Sequence, residues 1–332
     1  MQDTSFCLFT SPKKGKKIVW EITSQCNMIC KHCCVNASSR VSRNGFIFSD
    51  KKLINQNIKK MVALGIKEFY ISGGEPFLSK GVLPFLKSLK EKGVKVSVAT
   101  NACCLNKTII RNLSKIKIDF LHVSVDGHLP EIHNALRGGN FFDKVVKNIR
   151  MLRRYKIPVR VGCMIWRNDE NLLEEMVRLC INLKVTNLRF SWLIKVGRFK
   201  DNSQLYPKRK WLSVMDEIKS LKKKYRNKLS ITIHRVPWLN SNSFQFCPGG
   251  DRLFFLNPKG QLSSCSWIAK NDPNFITKKS LKEAGFENLI KEKEILKFKK
   301  MLEERKNKGF KGCPFFAKHR NHSYYSDDKL IK

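Results

Sequence analysis

The sequence predicts an α/β protein built from six strand–helix repeats, followed by a smaller segment of different texture. Between Lys17 and about residue 200, six short β-branched runs alternate with helical patterns. The runs recur every ~25–35 residues, the length of right-handed βαβ units in a parallel sheet or barrel. After about residue 240 the alternation gives way to a hairpin-like stretch. Six units are fewer than the eight of a closed barrel. An incomplete barrel or a doubly wound sheet fits that count, and either places a site at the C-terminal ends of the strands.

The run IVWEIT (18–23) reads as the first strand. Ser49 and Asp50 are caps for a helix that starts at about Lys51 and ends near Gly65. EFYIS (68–72) is the second strand, with a helix behind it ending at Gly93, and KVSVAT (95–100) is the third. FLHVSV (120–125) is the fourth, followed by the amphipathic FFDKVVKNIRMLRRY. VRVGCMIW (159–166) is the fifth, backed by ENLLEEMVRLCINL, and NLRFSWL (187–193) is the sixth. Residues 201–240 read as a basic connecting segment containing the helix-like KRKWLSVMDEIKSLKKKY. DRLFFLNPKGQLSSCSW then reads as a β-hairpin around Asn257-Pro258-Lys259-Gly260, and a charged helix follows over about 279–308.

A chain of 332 residues with 42% hydrophobic content is ordinary for a globular protein of one large domain and a small one. No apolar run approaches the ~18–20 residues of a membrane span. The start MQDTSFCLFTSPKKGKK lacks the apolar core of a signal peptide. These features predict a cytoplasmic chain without a membrane partner. Thiols stay reduced in that compartment, so twelve cysteines point to metal or catalysis before disulfides. The net charge of +38 suits an anionic partner such as an acidic peptide or nucleic acid. It equally fits a Lys-rich source, because the lysines are spread along helix faces such as KEKEILKFKK, with no compact Arg-rich block.

Cys26, Cys30 and Cys33 have the spacing C-x3-C-x2-C directly after the first strand. Cubane iron–sulfur clusters are normally held by four thiolates. A loop offering three leaves one iron open to a second molecule, as a catalytic zinc keeps a position for substrate. A zinc knuckle is the competing reading, although zinc sites favour CxxC pairs with a distant second pair. The segment resembles the radical S-adenosylmethionine (SAM) enzymes, whose hallmark is CxxxCxxC in the loop after the first barrel strand. The resemblance implies a partial (β/α)6 TIM-type barrel over residues 18–200, preceded by an N-terminal segment over 1–17. It also implies a [4Fe–4S] cluster on Cys26, Cys30 and Cys33, with SAM on the open iron. Cys34 would then point away, into the core or towards substrate, and His32 would lie against the cluster or the adenine.

ISGGEP (71–76) ends the second strand. Adjacent glycines permit close backbone approach and a carboxylate can meet an ammonium; a plain tight turn is the alternative. In the resembled family this segment binds the SAM amino group, which nominates Gly73, Gly74, Glu75 and Pro76. ATNACC (99–104) ends the third strand, where the family often has Thr-Asn-Gly; Asn101 is carried over and Ala102 replaces the glycine. VSVDGHLPEIHNALRG (123–138) is similar to the family's Ser-x-Asp-Gly strand end with a later Arg-Gly. It implies Ser124 and Asp126 near the SAM ribose and Arg137 at the SAM carboxylate. As plain structure, Asp126 would order its turn and Arg137 would cap a helix. Asn168 and Gly197-Arg198 also fit the family's habits.

Cys247, Gly260 and Cys265 read C-x12-G-x4-C around the hairpin, and Cys313 follows in KGC. Three buried thiols are the plain reading. The segment resembles the C-terminal auxiliary-cluster domain of radical SAM proteins, in its SPASM or shortened twitch form. That implies a small hairpin-plus-helix domain over 241–332 with a second, auxiliary [4Fe–4S] cluster on Cys247, Cys265 and Cys313. The set is one protein ligand short; its fourth position would be open, taken by substrate, or filled by Cys163, Cys180, His234 or another residue. Cys7, Cys163 and Cys180 sit in apolar contexts that suit packing. Cys103 and Cys104 fall near the expected barrel mouth, where a thiol can return a hydrogen atom to a substrate radical.

The resemblance implies reductive cleavage of SAM to a 5′-deoxyadenosyl radical, hydrogen abstraction from substrate, and an electron donor such as flavodoxin or ferredoxin. A ribosomally made peptide is the expected substrate, modified by crosslinking, oxidation or epimerisation; the HCC and CPG stretches are similar to peptide-epimerising members. Only about 17 residues precede the first strand, so no fused peptide-recognition domain is expected there. The alternatives are a small-molecule dehydrogenase or epimerase, an RNA-modifying member, and a non-enzymatic metal-dependent nucleic-acid binder.

Overall fold

The computed structural model describes residues 15–39, 50–167, 171–194, 196–200, 211–233 and 247–327. Cys7, Ser49, Asn168 and His234 lie outside the described residues. The chain divides into two compact units: Met1–Glu21, Phe46–Tyr70 and Arg235–Lys332 form one, and Ile22–Gly45 and Ile71–His234 form the other. The elements alternate as in a partial TIM-type α/β fold, with a hairpin and helices in the C-terminal part.

The first unit begins with β1 (Lys16–Glu21), whose Ile18, Val19 and Trp20 are buried. Helix α1 (Lys51–Ala63) starts where its cap predicts: the Asp50 carboxylate accepts the Leu53 N–H at 2.9 Å. Strand β2 (Ile66–Ser72) follows the left-handed Gly65, and its last two residues belong to the second unit.

The second unit continues with α2 (Val82–Glu91), β3 (Lys95–Thr100), α3 (Lys107–Ile116), β4 (Phe120–Ser124), α4 (Pro130–Arg137) and α5 (Phe142–Arg154). It ends with β5 (Val159–Ile165), α6 (Leu172–Asn182), β6 (Asn187–Trp192), α7 (Trp211–Lys224) and β7 (Ser230–Ile233). Strands β3-β4-β5-β6-β7 are neighbours in that order and all parallel. Alternate residues of β5 are buried, so one face of that strand packs while the other is half-covered. Strand β7 lies in the stretch read as a basic connector. It pairs with β6 from Asn187↔Ser230 to Phe190↔Ile233, giving a fifth parallel strand in this unit.

The first unit resumes with β8 (Leu253–Leu256), β9 (Gln261–Ser263), α8 (Ser266–Ala269) and β10 (Ile276–Ser280). Its remaining helices are α9 (Leu281–Ala284), α10 (Phe286–Leu289), α11 (Lys293–Asn307) and α12 (Pro314–Asn321). The predicted hairpin is present: Asn257 Oδ1 accepts the N–H groups of Lys259 and Gln261 at 3.0 Å each, and Gly260 takes φ +77°. Strand β8 pairs in parallel with β1, giving the order β10-β9-β8-β1-β2. The single charged helix expected over 279–308 is broken. Ser280 and Glu283 form a capping box that starts α9, and Gly285 at φ +71° ends it. Only α11 is long.

Candidate active site

The cysteine loop leaves β1 and is held at its base by backbone. The Cys26 N–H donates to the Ser38 carbonyl at 3.1 Å, and Cys33 N–H donates to Cys30 at 3.2 Å. Cys26 and Cys30 are buried; Cys33 and Cys34 are half-buried. The glycines of the GGEP segment seat directly on this loop. A Cβ on Gly73 would lie 2.4 Å from the Thr23 carbonyl oxygen, and one on Gly74 would lie 2.0 Å from that of Gln25. The Gly74 and Glu75 N–H groups donate to the same two carbonyls at 2.7 and 2.8 Å. The two glycines are thus used for close approach to the protein's own cysteine loop.

Two further segments fasten the loop. The Arg198 N–H donates to Cys33 O at 2.9 Å, and its guanidinium donates to Cys30 O and Ala37 O at 2.8 Å each. Gly197, at φ +58°, admits this approach, since a Cβ there would be 2.5 Å from Cys33 O. At the end of α4, Leu136 O accepts the Lys31 N–H at 3.0 Å, and Gly138 lies against Ile29. Gly197-Arg198 was legible only as a weak motif match; its work as a clamp on three carbonyls had no signal in the spacing.

Glu75 is wholly buried. Its carboxylate accepts the Thr100 hydroxyl at 2.7 Å, the Asn101 N–H at 2.8 Å and the Phe77 N–H at 3.2 Å. Burial nevertheless pushes its pKa up to about 7. Pro76 opens a single 3₁₀ turn behind it. Asn101 Nδ2 donates to Asn27 Oδ1 at 2.8 Å and lies 3.8 Å from Cys26 Sγ, while its Oδ1 accepts the Cys103 N–H at 2.9 Å. Ala102, standing where the resembled family has glycine, holds φ +61°. Its carbonyl is tied down by Asn148 Nδ2 at 2.8 Å.

At the end of β4, Ser124 is half-buried and Asp126 is wholly buried. Asp126 is committed on both oxygens: Arg137 Nε donates to Oδ2 at 2.6 Å and the Met164 N–H donates to Oδ1 at 2.8 Å. Arg137 Nη1 reaches on to Cys30 Sγ at 3.8 Å. Burial alone would push Asp126 up, but Arg137, with His32 and His133 beside it, holds it below the usual carboxylate range. The same pairing outweighs burial at Arg137 and keeps its pKa high. His133 Nδ1 accepts the Asp126 N–H at 3.2 Å, and Trp166 Nε1 donates to the Asp126 carbonyl at 2.9 Å. His32 Nε2 stands 3.7 Å from Asp126 Oδ2, its Nδ1 is buried with no hydrogen-bond partner, and burial pushes its pKa down to about 4. A His before the Arg-Gly was part of the motif match, but neither the contact of His133 nor that of Trp166 with Asp126 was signalled by the spacing.

Burial lifts the Cys103 thiol to about 11 and the Cys104 thiol to about 12, so both are protonated near neutral pH. Cys163 and Cys180 are buried in the second unit with strongly raised pKa values, as packing thiols are.

In the first unit, Cys265 is the N-cap of α8 and Cys313 the N-cap of α12. Trp267 of α8 stacks on Phe315 of α12 at 5.8 Å, so the two helix starts adjoin. The turn after Cys247 lies on the residue before Cys265: a Cβ on Gly249 would be 2.8 Å from Ser264 O. Burial raises the Cys265 pKa, while the Ile268 and Trp267 N–H groups pull the other way.

The donor chemistry suits thiolate-bound iron. Asn101 and Arg137 aim N–H donors at the sulfurs of Cys26 and Cys30, and such donors favour an anionic sulfur. Burial holds Cys26 up at about 11, so a bound cation is what would deprotonate it at neutral pH. Among the described residues no three His, Cys, Asp or Glu side chains gather closely enough to hold a single metal ion. No described helix is long and apolar enough to cross a membrane.

Parallel strand–helix repeats with a three-cysteine loop after the first strand, and a Gly-Gly-Glu-Pro turn seated on it, are the arrangement expected of a radical SAM protein. Residues 20–180 match the Radical SAM superfamily. It is similar to the AdoMet-dependent heme synthase of Methanosarcina barkeri, 25% identical over 191 residues, covering 57% of this chain and 54% of that one. Molybdenum cofactor biosynthesis protein 1 of Dictyostelium discoideum is 28% identical over 269 residues, covering 74% of this chain and 41% of that one. The chain thus spans about half the length of the curated relatives it matches. Among solved structures, Streptococcus suis SuiB bound to S-adenosylmethionine has a TM-score of 0.77 at 16% identity, over 96% of this chain and 77% of that one. SuiB bound to precursor peptide SuiA has a TM-score of 0.69 at 15% identity, over 85% and 66%. Likeness at this identity speaks to the fold.

Proposed function

We propose that the chain is a radical SAM enzyme acting on a ribosomally made peptide. The observation that carries the chemistry is the loop bearing Cys26, Cys30 and Cys33, fixed by backbone on three sides with N–H donors aimed at two of its sulfurs. When bound there, a reduced [4Fe–4S] cluster with SAM supplies a 5′-deoxyadenosyl radical that takes a hydrogen atom from a substrate C–H bond. The three cysteines hold the cluster and Cys34 stays off it, which leaves one iron for SAM. Gly73, Gly74, Glu75 and Pro76 shape the amino-group side of the SAM site, and Ser124 faces the ribose side. Asp126 holds Arg137, and Arg137 orients Cys30. Cys103 and Cys104, protonated near neutral pH, are the hydrogen-atom donors we assign to an epimerisation. On this reading residues 18–200 carry the radical chemistry, and 241–332 hold an auxiliary [4Fe–4S] cluster on Cys247, Cys265 and Cys313. A flavodoxin or ferredoxin supplies the electron.

The peptide substrate is supported by the likeness to SuiB, which binds a precursor peptide, and by a net charge of +38 that attracts an acidic one. A small-molecule substrate is the second reading, favoured by the heme-synthase and molybdenum-cofactor relatives. Anaerobic reconstitution should give about eight irons per chain and release 5′-deoxyadenosine. Zinc in place of iron, with no cleavage of SAM, overturns the chemistry. Binding of an acidic peptide that survives moderate salt while tRNA binding collapses supports the peptide reading; the reverse order overturns it.

A further inference from the structure

Buried hydroxyls in folded proteins are nearly always hydrogen-bonded, and each exception calls for an explanation. In the hairpin of the first unit, most obey. Thr277 is fully buried; its hydroxyl donates to Lys279 O at 2.8 Å and accepts the Leu262 N–H at 2.9 Å. Ser280 bonds Glu283, and Ser263 bonds the Cys265 backbone. Two do not obey, and they flank Cys265. Ser264 is 0% exposed and Ser266 is 3% exposed, and neither hydroxyl has a hydrogen-bond partner.

Both stand where the three cysteine-bearing segments meet. Ser264 Oγ is pressed towards the turn that follows Cys247: a Cβ on Gly250 would lie only 2.7 Å from it. Ser266 opens α8, whose Trp267 stacks on α12 just beyond Cys313. A ligand held by the three cysteines would bring acceptors to this corner. Cluster sulfurs and cysteine thiolates are acceptors, and hydrogen bonds to them are among the levers that set an iron–sulfur potential.

We propose that the hydroxyls of Ser264 and Ser266 donate hydrogen bonds to sulfur atoms of the auxiliary cluster and raise its reduction potential. The proposal rests on the assignment of Cys247, Cys265 and Cys313 as ligands of that cluster. A donor favours the more negative, reduced cluster, so removing it makes the cluster harder to reduce. In the metal-free chain the same hydroxyls are desolvated without a partner, so removing them relieves a penalty. The two states thus respond with opposite signs, which an ordinary packing role would not produce.

The test uses the full chain with Cys26, Cys30 and Cys33 replaced by Ala, so that only the auxiliary cluster remains. Potentiometric titration of the Ser264→Ala/Ser266→Ala pair in that background should show a midpoint lowered by about 59 mV, a tenfold change in the oxidised-to-reduced ratio for one electron. Urea unfolding of the metal-free pair variant should show stability equal to or above that of the parent. In the two-cluster enzyme the same shift should appear in the redox wave that SAM leaves unmoved. An unchanged midpoint with the cluster present overturns the proposal, as does a loss of metal-free stability. Absence of iron from the Cys26/Cys30/Cys33 variant, with the unsubstituted chain holding only about four irons, overturns the ligand assignment itself.

Discussion

Replacing Asp126 by Asn separates two roles for this residue. Asp126 is wholly buried, and Arg137, 9% exposed, donates to it at 2.6 Å. Asn keeps an oxygen for the Met164 N–H and nearly the same volume, so the substitution removes mainly the charge. Breaking a buried pair by neutralising one partner leaves the other charge uncompensated and costs ~3–5 kcal/mol. The loss should be read in urea unfolding of the metal-free chain, without SAM. Asp126→Asn/Arg137→Met should recover part of the loss, with a coupling of ~0.5–3 kcal/mol. The pH dependence carries a second signature. The native pKa of Asp126 lies below its unfolded value, so its contribution is present above the unfolded pKa and is lost as pH falls through the native one. The acid limb of the wild-type stability curve should therefore be steeper than that of the Asn variant. A loss below ~1 kcal/mol, or simple additivity with Arg137→Met, would refute the reasoning. Asp126 would then be available to a ligand, as its strand-end motif suggests.

Glu75 has the opposite sign. Burial raises it from 4.5 to about 7, so the native state binds the extra proton, and stability should fall as pH rises through that window by up to ~3 kcal/mol. Glu75→Gln should flatten that slope in urea melts at pH 5 and 7.5. Gly74→Ala drives a Cβ to within 2.0 Å of the Gln25 carbonyl, so it should lower the iron bound by the N-terminal loop by at least half while sparing the auxiliary iron. Arg198→Lys retains at most one of two side-chain bonds to the loop carbonyls. It should cost ~1–3 kcal/mol of local order, read as faster amide exchange over residues 26–38. Cys34→Ala should keep the cluster and SAM cleavage, and Cys33→Ala should lose both; the reverse would reassign the third ligand.

What was legible in the sequence was what a local pattern encodes. The apolar runs of β3, β5 and β6 fixed their strands to within a residue, and the Asp50 cap fixed the start of α1. Strand β7 escaped because Ser-Ile-Thr-Ile is too short to show a period beside a Lys-rich helix, and its identity comes from pairing with β6. The charged stretch after residue 279 looked like one helix because Lys and Glu recur at helical spacing throughout; the break depends on a capping box and one left-handed glycine. The three-cysteine loop was legible because its spacing is local. Its clamps were not, because Arg198 and Leu136 meet backbone carbonyl and N–H groups that every residue carries, and no side-chain pattern announces which of them will be met. Glu75 shows the limit most clearly. Its motif suggested a carboxylate waiting for an ammonium, whereas Thr100, Asn101 and Phe77 already give it three donors. A ligand ammonium near Glu75 would favour its charged form and oppose the burial that lifts its pKa. SAM affinity should therefore strengthen as pH rises through about 7, and a flat affinity across that range would place the ammonium on backbone carbonyls of the segment and leave Glu75 as the brace on the end of β3, through Thr100 and Asn101.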